Sequence, residues 1–324
     1  MSLRVSNLSK KYADNLVLRD VSFEAVKGEI FGIFGATAAG KSTLIRLISG
    51  SENCNRGSIT HNSSDITTFS CEERNFYFPK LTNDTFWKNL FKTEKKSEIA
   101  DGEGQVLALE SALENADSVL LLDDSFCYID RLLRHENYTK LRNKVREKNL
   151  VVIVATNDFI EAMLLCDRIG ILHNGEIKQI GTPREIYENP NSFAVARITG
   201  RNNLIEARRL TSTKAELPEV QTLVGEHRLF ARKTVKRELG AINQNVMLAV
   251  RPEHISISFG ASFPEDNLLK ATVEDIRFQG ATTLISLNSN GLKLEALVLR
   301  LVGLKIGEEC MVGLPPERIQ ILKD

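Results

Sequence analysis

The sequence predicts two domains, an α/β domain with a mostly parallel sheet followed by a mostly β domain with a small barrel. Short apolar segments alternate with helical patterns over about the first 190 residues, which is typical of strands joined by crossover helices. After Gly200-Arg-Asn-Asn203 the pattern changes to short β-type segments at the spacing of a small barrel. The 324 residues are enough for two domains that each bury a core. We therefore expect domains at residues 1–200 and 201–324.

Apolar runs and helical periodicity predict the elements of the first domain. The expected strands are Val17–Val26, Glu29–Phe34, Val119–Leu122, Val151–Ala155 and Ile169–Leu172. The expected helices are Lys41–Ile48, Gln105–Glu114, Asp130–Lys148 and Asp158–Cys166, with a shorter one within Thr182–Pro190 that starts with Thr-Pro.

Alternating apolar residues predict the strands of the second domain. They are Val246–Val250, Ile255–Ser258, Leu269–Ile276, Thr282–Leu287 and Leu292–Val298. Turn residues separate them, as in Asn288-Ser-Asn-Gly291.

A complete phosphate-binding loop connects an expected strand to an expected helix. Its residues are Gly35, Ala36, Thr37, Ala38, Ala39, Gly40, Lys41 and Ser42, with Thr43 opening the helix. A glycine-rich turn before a helix presents unpaired N–H groups and the positive end of the helix dipole to an anion. Lys41 is placed to reach the terminal phosphates, and the Ser42 hydroxyl to bind Mg²⁺. These residues predict that the chain binds a nucleoside triphosphate together with Mg²⁺.

A second apolar strand ends in two acids, Asp123 and Asp124. In proteins with such a loop, the first acid holds Mg²⁺ opposite the loop serine, and the second in many cases orients the attacking water. Asp123 fits the first role and Asp124 is the candidate for the second. The side chain of Asp124 is one methylene shorter than that of glutamate.

Composition restricts the classes of protein that remain. Lys plus Arg and Asp plus Glu are both 42, so the net charge is zero and there is no bulk attraction to nucleic acid or anionic membrane. No apolar run is long enough to span a bilayer, and the N-terminus lacks the layout of a secretory signal. The five cysteines are scattered, which favours reduced thiols in the cytosol.

Together these segments resemble the ATP-binding subunits of ABC importers, in the branch with a C-terminal barrel of the OB-like (TOBE) type. The resemblance also covers the opening strand up to Tyr12, the helix Leu107–Leu113, and the segments Gly175–Tyr187 and Val250–Glu253. It implies an α/β P-loop NTPase (ABC ATPase) domain followed by the barrel. It further implies that Tyr12 stacks on adenine.

The resemblance fails at several positions that carry chemistry. Counting back from Asp123, the family's Leu-Ser-Gly-Gly-Gln signature falls on Ile99, Ala100, Asp101, Gly102 and Glu103. A shift of two residues would instead place Gly102–Gln105 there. Either alignment introduces an acid where the partner's γ-phosphate would dock, and like charges repel.

Two further positions depart from the family. Asn157 stands in place of the switch histidine, and its amide can donate a hydrogen bond but cannot carry charge or a proton. The glutamine that senses the transporter falls near Glu73, and the helical subdomain after it is much shorter than in the family. Binding residues are thus retained while Asp124 and Asn157 replace catalytic ones. We expect a competent ATP binder and a poor ATPase.

The leading hypothesis is an ATP-binding subunit that energises solute import through a membrane permease. We expect a homodimer, or a heterodimer with another ABC ATPase, located in the cytoplasm at the inner face of the membrane. The alternative is a catalytically impaired regulatory subunit whose barrel senses a ligand. A nucleic-acid-handling ABC protein is disfavoured by the neutral charge and the single ABC domain.

Overall fold

The computed structural model describes residues 2–78, 101–211, 218–232, 242–259, 265–299 and 303–322. The chain divides into two compact units, Met1–Glu188 and Asn189–Asp324. The division falls earlier than residue 200, because the helix Phe193–Ile198 belongs to the second unit. The segment 79–100, where most of the shortened helical subdomain was expected, lies outside the described residues.

The described part of the first unit contains two sheets and six helices. Its strands are β1 Ser2–Tyr12, β2 Asn15–Val26, β3 Ile30–Phe34, β4 Arg56–His61, β5 Ser64–Asp65, β6 Val119–Asp123, β7 Val151–Thr156, β8 Arg168–His173 and β9 Glu176–Gly181. Its helices are α1 Lys41–Ser49, α2 Cys71–Arg74, α3 Asp101–Asn115, α4 Arg131–Lys148, α5 Phe159–Leu165 and α6 Pro183–Glu188. The five strands predicted for this domain are therefore confirmed.

The central sheet has the strand order β6-β7-β3-β8-β9. The first four strands are parallel and β9 runs antiparallel to β8. Strands β3 and β7 are buried along their whole length, as expected for a sheet with both faces covered. Because these strands are parallel, the residues that follow β3, β6 and β7 emerge at the same edge.

A second, antiparallel sheet has the order β2-β1-β4-β5. Its buried residues share one core with the central sheet and with the apolar face of α1, which includes Leu44, Leu47 and Ile48. Helix α1 begins after Gly40 and ends at Gly50, and both glycines have a positive φ. The helix thereby runs from the predicted phosphate loop into the core.

Helix α3 begins earlier than its predicted start at Gln105. The glycines at this end have a low intrinsic helix propensity, but tertiary packing stabilises the helix. A Cβ on Gly102 would lie 2.7 Å from the main-chain oxygen of Tyr128, so only glycine allows this close approach.

The second unit is mostly β, as predicted. It contains α7 Phe193–Ile198 and the strands β10 Asn203–Arg209, β11 Glu219–Thr222, β12 Arg228–Phe230, β13 Asn245–Val250, β14 Ser256–Ser258, β15 Asn267–Phe278, β16 Thr283–Ser289, β17 Leu292–Val298, β18 Glu309–Leu314 and β19 Gln320–Leu322. These form two five-stranded antiparallel sheets, β12-β11-β10-β13-β19 and β14-β18-β15-β16-β17, around one apolar core. Helix α7, which was not predicted, packs through Ala196 on Ala249 and Leu322.

Candidate functional site

The predicted phosphate loop connects β3 to α1, as its sequence context required. Gly35 is buried, and a Cβ there would lie 2.4 Å from the main-chain oxygen of Leu172. Gly40 has φ 105° and would bring a Cβ to 2.8 Å from Leu18 Cδ2. Residues Ala36, Thr37 and Ala38 between them are exposed. The loop is thus fixed at its two glycines and open to solvent in the middle.

The N-terminus of α1 lies at the end of this loop. The first main-chain bond of the helix is donated by Leu44 N to the oxygen of Gly40 at 2.9 Å. The amides before Leu44, including those of Ser42 and Thr43, belong to the first turn, where N–H groups have no partner within the helix. Together with the helix dipole they make this end of α1 attractive to an anion.

The Lys41 side chain folds back over the loop. Its Nζ donates hydrogen bonds to the main-chain oxygens of Gly35 at 2.9 Å and Ala36 at 3.1 Å. Lys41 is only 6% exposed. Burial lowers the pKa of the Lys41 ammonium, while the charges of Asp124 and Asp123 act in the opposite direction. The positive charge is therefore held inside the loop, where a bound phosphate would neutralise it.

Asp123 ends β6, two strands away from β3 in the sheet, and interacts with Ser42. Burial raises the pKa of the Asp123 carboxyl, and the charge of Asp124 raises it further, whereas a hydrogen bond with the Ser42 side chain lowers it. The Oδ1 atom of Asp123 is buried and has no hydrogen-bond partner among the described residues. A buried carboxylate oxygen without a hydrogen-bond partner destabilises the folded state unless a cation or a hydrogen-bond donor contacts it.

This pair of oxygens fits Mg²⁺. A carboxylate and a hydroxyl are the oxygen ligands that Mg²⁺ prefers, and Mg²⁺ commonly uses one or two protein carboxylates together with substrate phosphates. In the described part of the chain, no group of three or more His, Cys, Asp or Glu residues could hold a metal by itself. The site thus suits a metal that arrives with a phosphate ligand.

Asp124 and Asn157 emerge at the same edge of the sheet as Asp123. Strands β6 and β7 pair in register with Asp123 opposite Ala155, and Asp124 N donates to the oxygen of Ala155 at 2.9 Å. Asp124 adopts φ 45°, in the left-handed region that aspartate tolerates better than most residues. Asn157, two residues after Ala155, is exposed.

Tyr12 lies at the end of β1 and is 39% exposed. Its hydroxyl donates a hydrogen bond to the carboxylate of Glu52. Lys10 Nζ lies 4.9 Å from the centre of the ring. The ring is thus held in one orientation and remains partly open to solvent.

Glu73 does not join this cluster. Its carboxylate accepts a hydrogen bond from Ser70 N at 2.7 Å, which forms a capping box at the start of α2. The neighbouring Arg74 donates to the main-chain oxygens of Leu47 and Ile48, at the C-terminal end of α1. Since the phosphate loop lies at the other end of α1, Glu73 is about one helix length from it, roughly 13 Å. The expectation that Glu73 takes part in catalysis finds no geometric support, because local capping engages its side chain.

The predicted signature is only partly described. Ala100 lies outside the described residues, and Asp101, Gly102 and Glu103 form the first turn of α3. Glu103 is exposed. The residues of the two signature alignments that the structure describes, from Asp101 to Gln105, are helical.

Gln105, named from the sequence only as a helix start and as the end of the alternative signature alignment, is 4% exposed. Its Oε1 accepts a hydrogen bond from Tyr128 N at 2.9 Å, and its Nε2 donates to Cys127 Sγ at 3.4 Å. Gln105 thereby ties α3 to the loop after β6. A polar residue on the otherwise apolar face of that helix was the available signal. Sequence analysis missed Glu52 and Arg134, and no local pattern marks either.

The geometry defines a class of protein. A parallel sheet, a glycine-rich loop with a buried lysine and an acid on a nearby strand form a P-loop nucleotide-binding domain, here followed by a mostly β unit. None of the helices in the described part of the chain is long and apolar enough to cross a membrane.

Comparison with known proteins agrees with this class. Residues 18–78 match the family model for the ABC transporter domain, and residues 248–322 match that for the TOBE domain. The chain is 32% identical over 316 residues to a spermidine/putrescine import ATP-binding protein of Protochlamydia amoebophila, covering 86% of this chain and 83% of that one. It is 29% identical over 359 residues to a molybdate/tungstate import ATP-binding protein of Pyrococcus horikoshii, covering 98% and 99%.

One solved structure, an ATP-binding cassette of an ABC transporter, is similar in fold with a TM-score of 0.50. It is 19% identical and covers 61% of this chain and 98% of that one. The chain belongs to the family of ATP-binding subunits of ABC importers. The fold class and the function expected from the sequence are therefore confirmed.

Proposed function

We propose that the phosphate loop, Lys41, Ser42 and Asp123 bind the triphosphate of ATP with its Mg²⁺. The observation that carries this proposal is the unpartnered, buried Oδ1 of Asp123 beside Ser42 at the end of the loop. When bound, the metal would neutralise negative charge on the triphosphate. The chain supplies main-chain N–H groups, the Lys41 ammonium and a dry carboxylate, which together position the triphosphate.

A titration with Mg-ATP tests this site. Lys41→Ala removes charge-assisted hydrogen bonds worth about 1.5–3 kcal/mol each, so we expect about a tenfold to hundredfold weaker Kd. Lys27→Ala is the matched control, because Lys27 is an exposed lysine of the same unit. Absence of saturable binding, or equal affinity for Lys41→Ala and the unaltered protein, contradicts the proposal.

We further propose that hydrolysis is slow. Asp124 replaces a longer acid, Asn157 cannot act as a base, and Ala100 and Glu103 occupy the expected signature. General-base assistance contributes about 10²–10⁴ in rate, and a displacement of about 1 Å can remove about 10². Single-turnover hydrolysis by the purified protein measures this, and a rate above about 1 s⁻¹, ordinary for an enzyme, contradicts it.

The proposed working state is a dimer docked on a membrane permease at the inner face of the membrane. Two copies, or this chain with another ABC ATPase, would close around ATP and transmit that closure to the permease. The relatives named above are import proteins with different cargoes, at 32% and 29% identity. We therefore propose that the permease, and not this chain, selects the solute. Co-purification from membranes tests the assembly, and recovery with a permease is the expected result.

A regulatory role is the second candidate. The exposed Asn157 at the switch position and the Glu73 side chain engaged in helix capping favour it over rapid turnover. In this role ATP closes the dimer without rapid hydrolysis, and the second unit senses a small ligand or partner. Recovery from cells with partners from the soluble fraction, and with no permease, would support this role over import.

A further inference from the structure

A polar network holds the ring of Tyr12. The hydroxyl of Tyr12 donates a hydrogen bond to the Glu52 carboxylate. Lys10 Nζ lies over the ring, 4.9 Å from its centre, and 3.5 Å from Glu52 Oε2. Lys10 Nζ also donates to the main-chain oxygen of Asn53 at 2.7 Å, so the ammonium is itself fixed in place. The ring is therefore tethered at its hydroxyl and covered by a cation on one face.

The same carboxylate is bound to α1. Arg46 Nε donates to Glu52 Oε1 at 2.5 Å, and Arg46 Nη2 donates to Thr43 Oγ1 at 3.3 Å. Thr43 lies in the first turn of α1, directly after Ser42. An unbroken series of polar contacts thus runs from the Tyr12 ring through Glu52 and Arg46 to the turn that ends the phosphate loop.

Charge and burial make this network persistent. The Glu52 side chain is 26% exposed and that of Lys10 is 14% exposed, so solvent screens their attraction less than at an open surface. Burial would raise the pKa of the Glu52 carboxyl, but hydrogen bonds from Tyr12 and Arg46 lower it on balance. Glu52 is therefore ionised at neutral pH and binds all three partners.

We propose that Glu52 is a positioning residue for the base of the bound nucleotide: it holds Tyr12 so that the ring face opposite Lys10 stacks on the base. This inference rests on the nucleotide site proposed above. An aromatic ring that is already ordered loses less conformational freedom when the ligand binds, which strengthens binding. The network also sets the ring at a fixed place relative to the first turn of α1, and hence relative to the triphosphate.

The test compares a ligand that has a base with one that lacks it. Kd values for Mg-ATP and for inorganic triphosphate with Mg²⁺ are measured by calorimetry on the full chain and its variants. Glu52→Ala is expected to weaken ATP binding by about threefold to tenfold, since ordering one side chain changes affinity by about that amount. Its affinity for inorganic triphosphate should change by less than about twofold, the effect of a surface substitution.

Tyr12→Phe is the second variant, because it removes the hydroxyl tether and leaves the Arg46–Glu52 ion pair intact. Tyr12→Phe should also weaken the binding of Mg-ATP while leaving the affinity for inorganic triphosphate unchanged. In the double variant the two losses should not add, because both remove the same contact. Glu24→Ala is the matched control: Glu24 is another half-exposed acid, paired with Arg4 at 3.0 Å, and its substitution should leave both Kd values unchanged.

Three outcomes overturn the inference while leaving the triphosphate site in place. The first is an unchanged affinity for ATP in Glu52→Ala and Tyr12→Phe. The second is an equal loss of affinity for ATP and for inorganic triphosphate. The third is full additivity of the two losses in ATP affinity in the double variant. Should the unaltered protein bind neither ligand, the nucleotide site itself is wrong, and the role of Glu52 is overturned with it.

Discussion

Arg134 and Asp158 form an ion pair, with Arg134 Nη1 3.4 Å from Asp158 Oδ2. The same guanidinium donates to the main-chain oxygens of Ile129 at 2.8 Å and Cys127 at 3.2 Å. Asp158 caps α5 and directly follows Asn157, while Cys127 and Ile129 lie in the loop after Asp124. One side chain on α4 therefore joins the two segments that carry the proposed water-orienting and switch positions.

Replacement of Arg134 by alanine should loosen both segments. The loss of charge-assisted hydrogen bonds is expected to lower the free energy of unfolding by about 1–3 kcal/mol. Amide hydrogen exchange should accelerate in residues 127–130 and 157–160. Arg131→Ala serves as the control, because Arg131 is exposed on the same helix. Unchanged exchange in either segment would show that Arg134 does not join them.

Gly35→Ala should destabilise the first unit, because the new Cβ would lie 2.4 Å from the Leu172 oxygen. The backbone cannot yield as a flexible side chain can, so we expect a loss of about 1–3 kcal/mol, measured by urea unfolding. Gly181→Ala is the control, since its Cβ would first meet the Glu185 side chain at 3.1 Å. Equal effects of the two substitutions would contradict this account of the loop.

Asp123→Asn should stabilise the nucleotide-free protein at neutral pH. Burial raises the pKa of Asp123 above its ordinary value of 3.8. Between pH 3.8 and the raised pKa of Asp123, the folded state therefore holds more protons than the unfolded state. The free energy of unfolding of the unaltered protein then falls as pH rises. Asparagine does not titrate. The stability advantage of Asp123→Asn should therefore grow from about pH 4 upwards, by about 1.4 kcal/mol for each unit of pKa shift.

Asp65 provides a control of opposite sign. Hydrogen bonds from the Thr67 side chain and main chain lower the pKa of Asp65. Its ionised form stabilises the folded state above the unfolded pKa, and this contribution is lost as pH falls. Asp65→Asn should therefore become less stable than the unaltered protein as pH rises. Denaturation curves between about pH 2 and about 7 separate the two effects, because the Asp65 slope lies below about pH 4 and the Asp123 slope above it. The absence of a slope above about pH 4 would show that burial of Asp123 is not the cause.

Glu73→Ala should leave the Kd for Mg-ATP unchanged, because Glu73 lies near the C-terminal end of α1. Loss of the capping box at α2 should lower stability by about 0.5–2 kcal/mol. Ser70→Ala removes the other half of the same box and should have a comparable effect on the unfolding midpoint. A large change in nucleotide affinity for Glu73→Ala alone would restore its proposed place in the site.

Local patterns in the chain predicted the strands, α1 and the loop between them, because the relevant residues are adjacent in sequence. The geometry of the phosphate loop is set by residues that are close in sequence, namely the glycine-rich turn, Lys41 and Ser42. Asp123 was predictable for a similar reason, since an acid after an apolar run marks the end of a buried strand. The family followed from the order of such segments along the chain.

The tertiary structure alone decided the rest. Glu52 meets Tyr12 across 40 residues and Arg134 meets Asp158 across 24, and no local periodicity encodes such pairs. The place of Glu73 relative to the phosphate loop was likewise left to tertiary structure, because spacing from a motif does not reveal which end of α1 its segment reaches. Helical and strand patterns fix conformation through neighbouring residues, whereas these contacts depend on how separate elements pack.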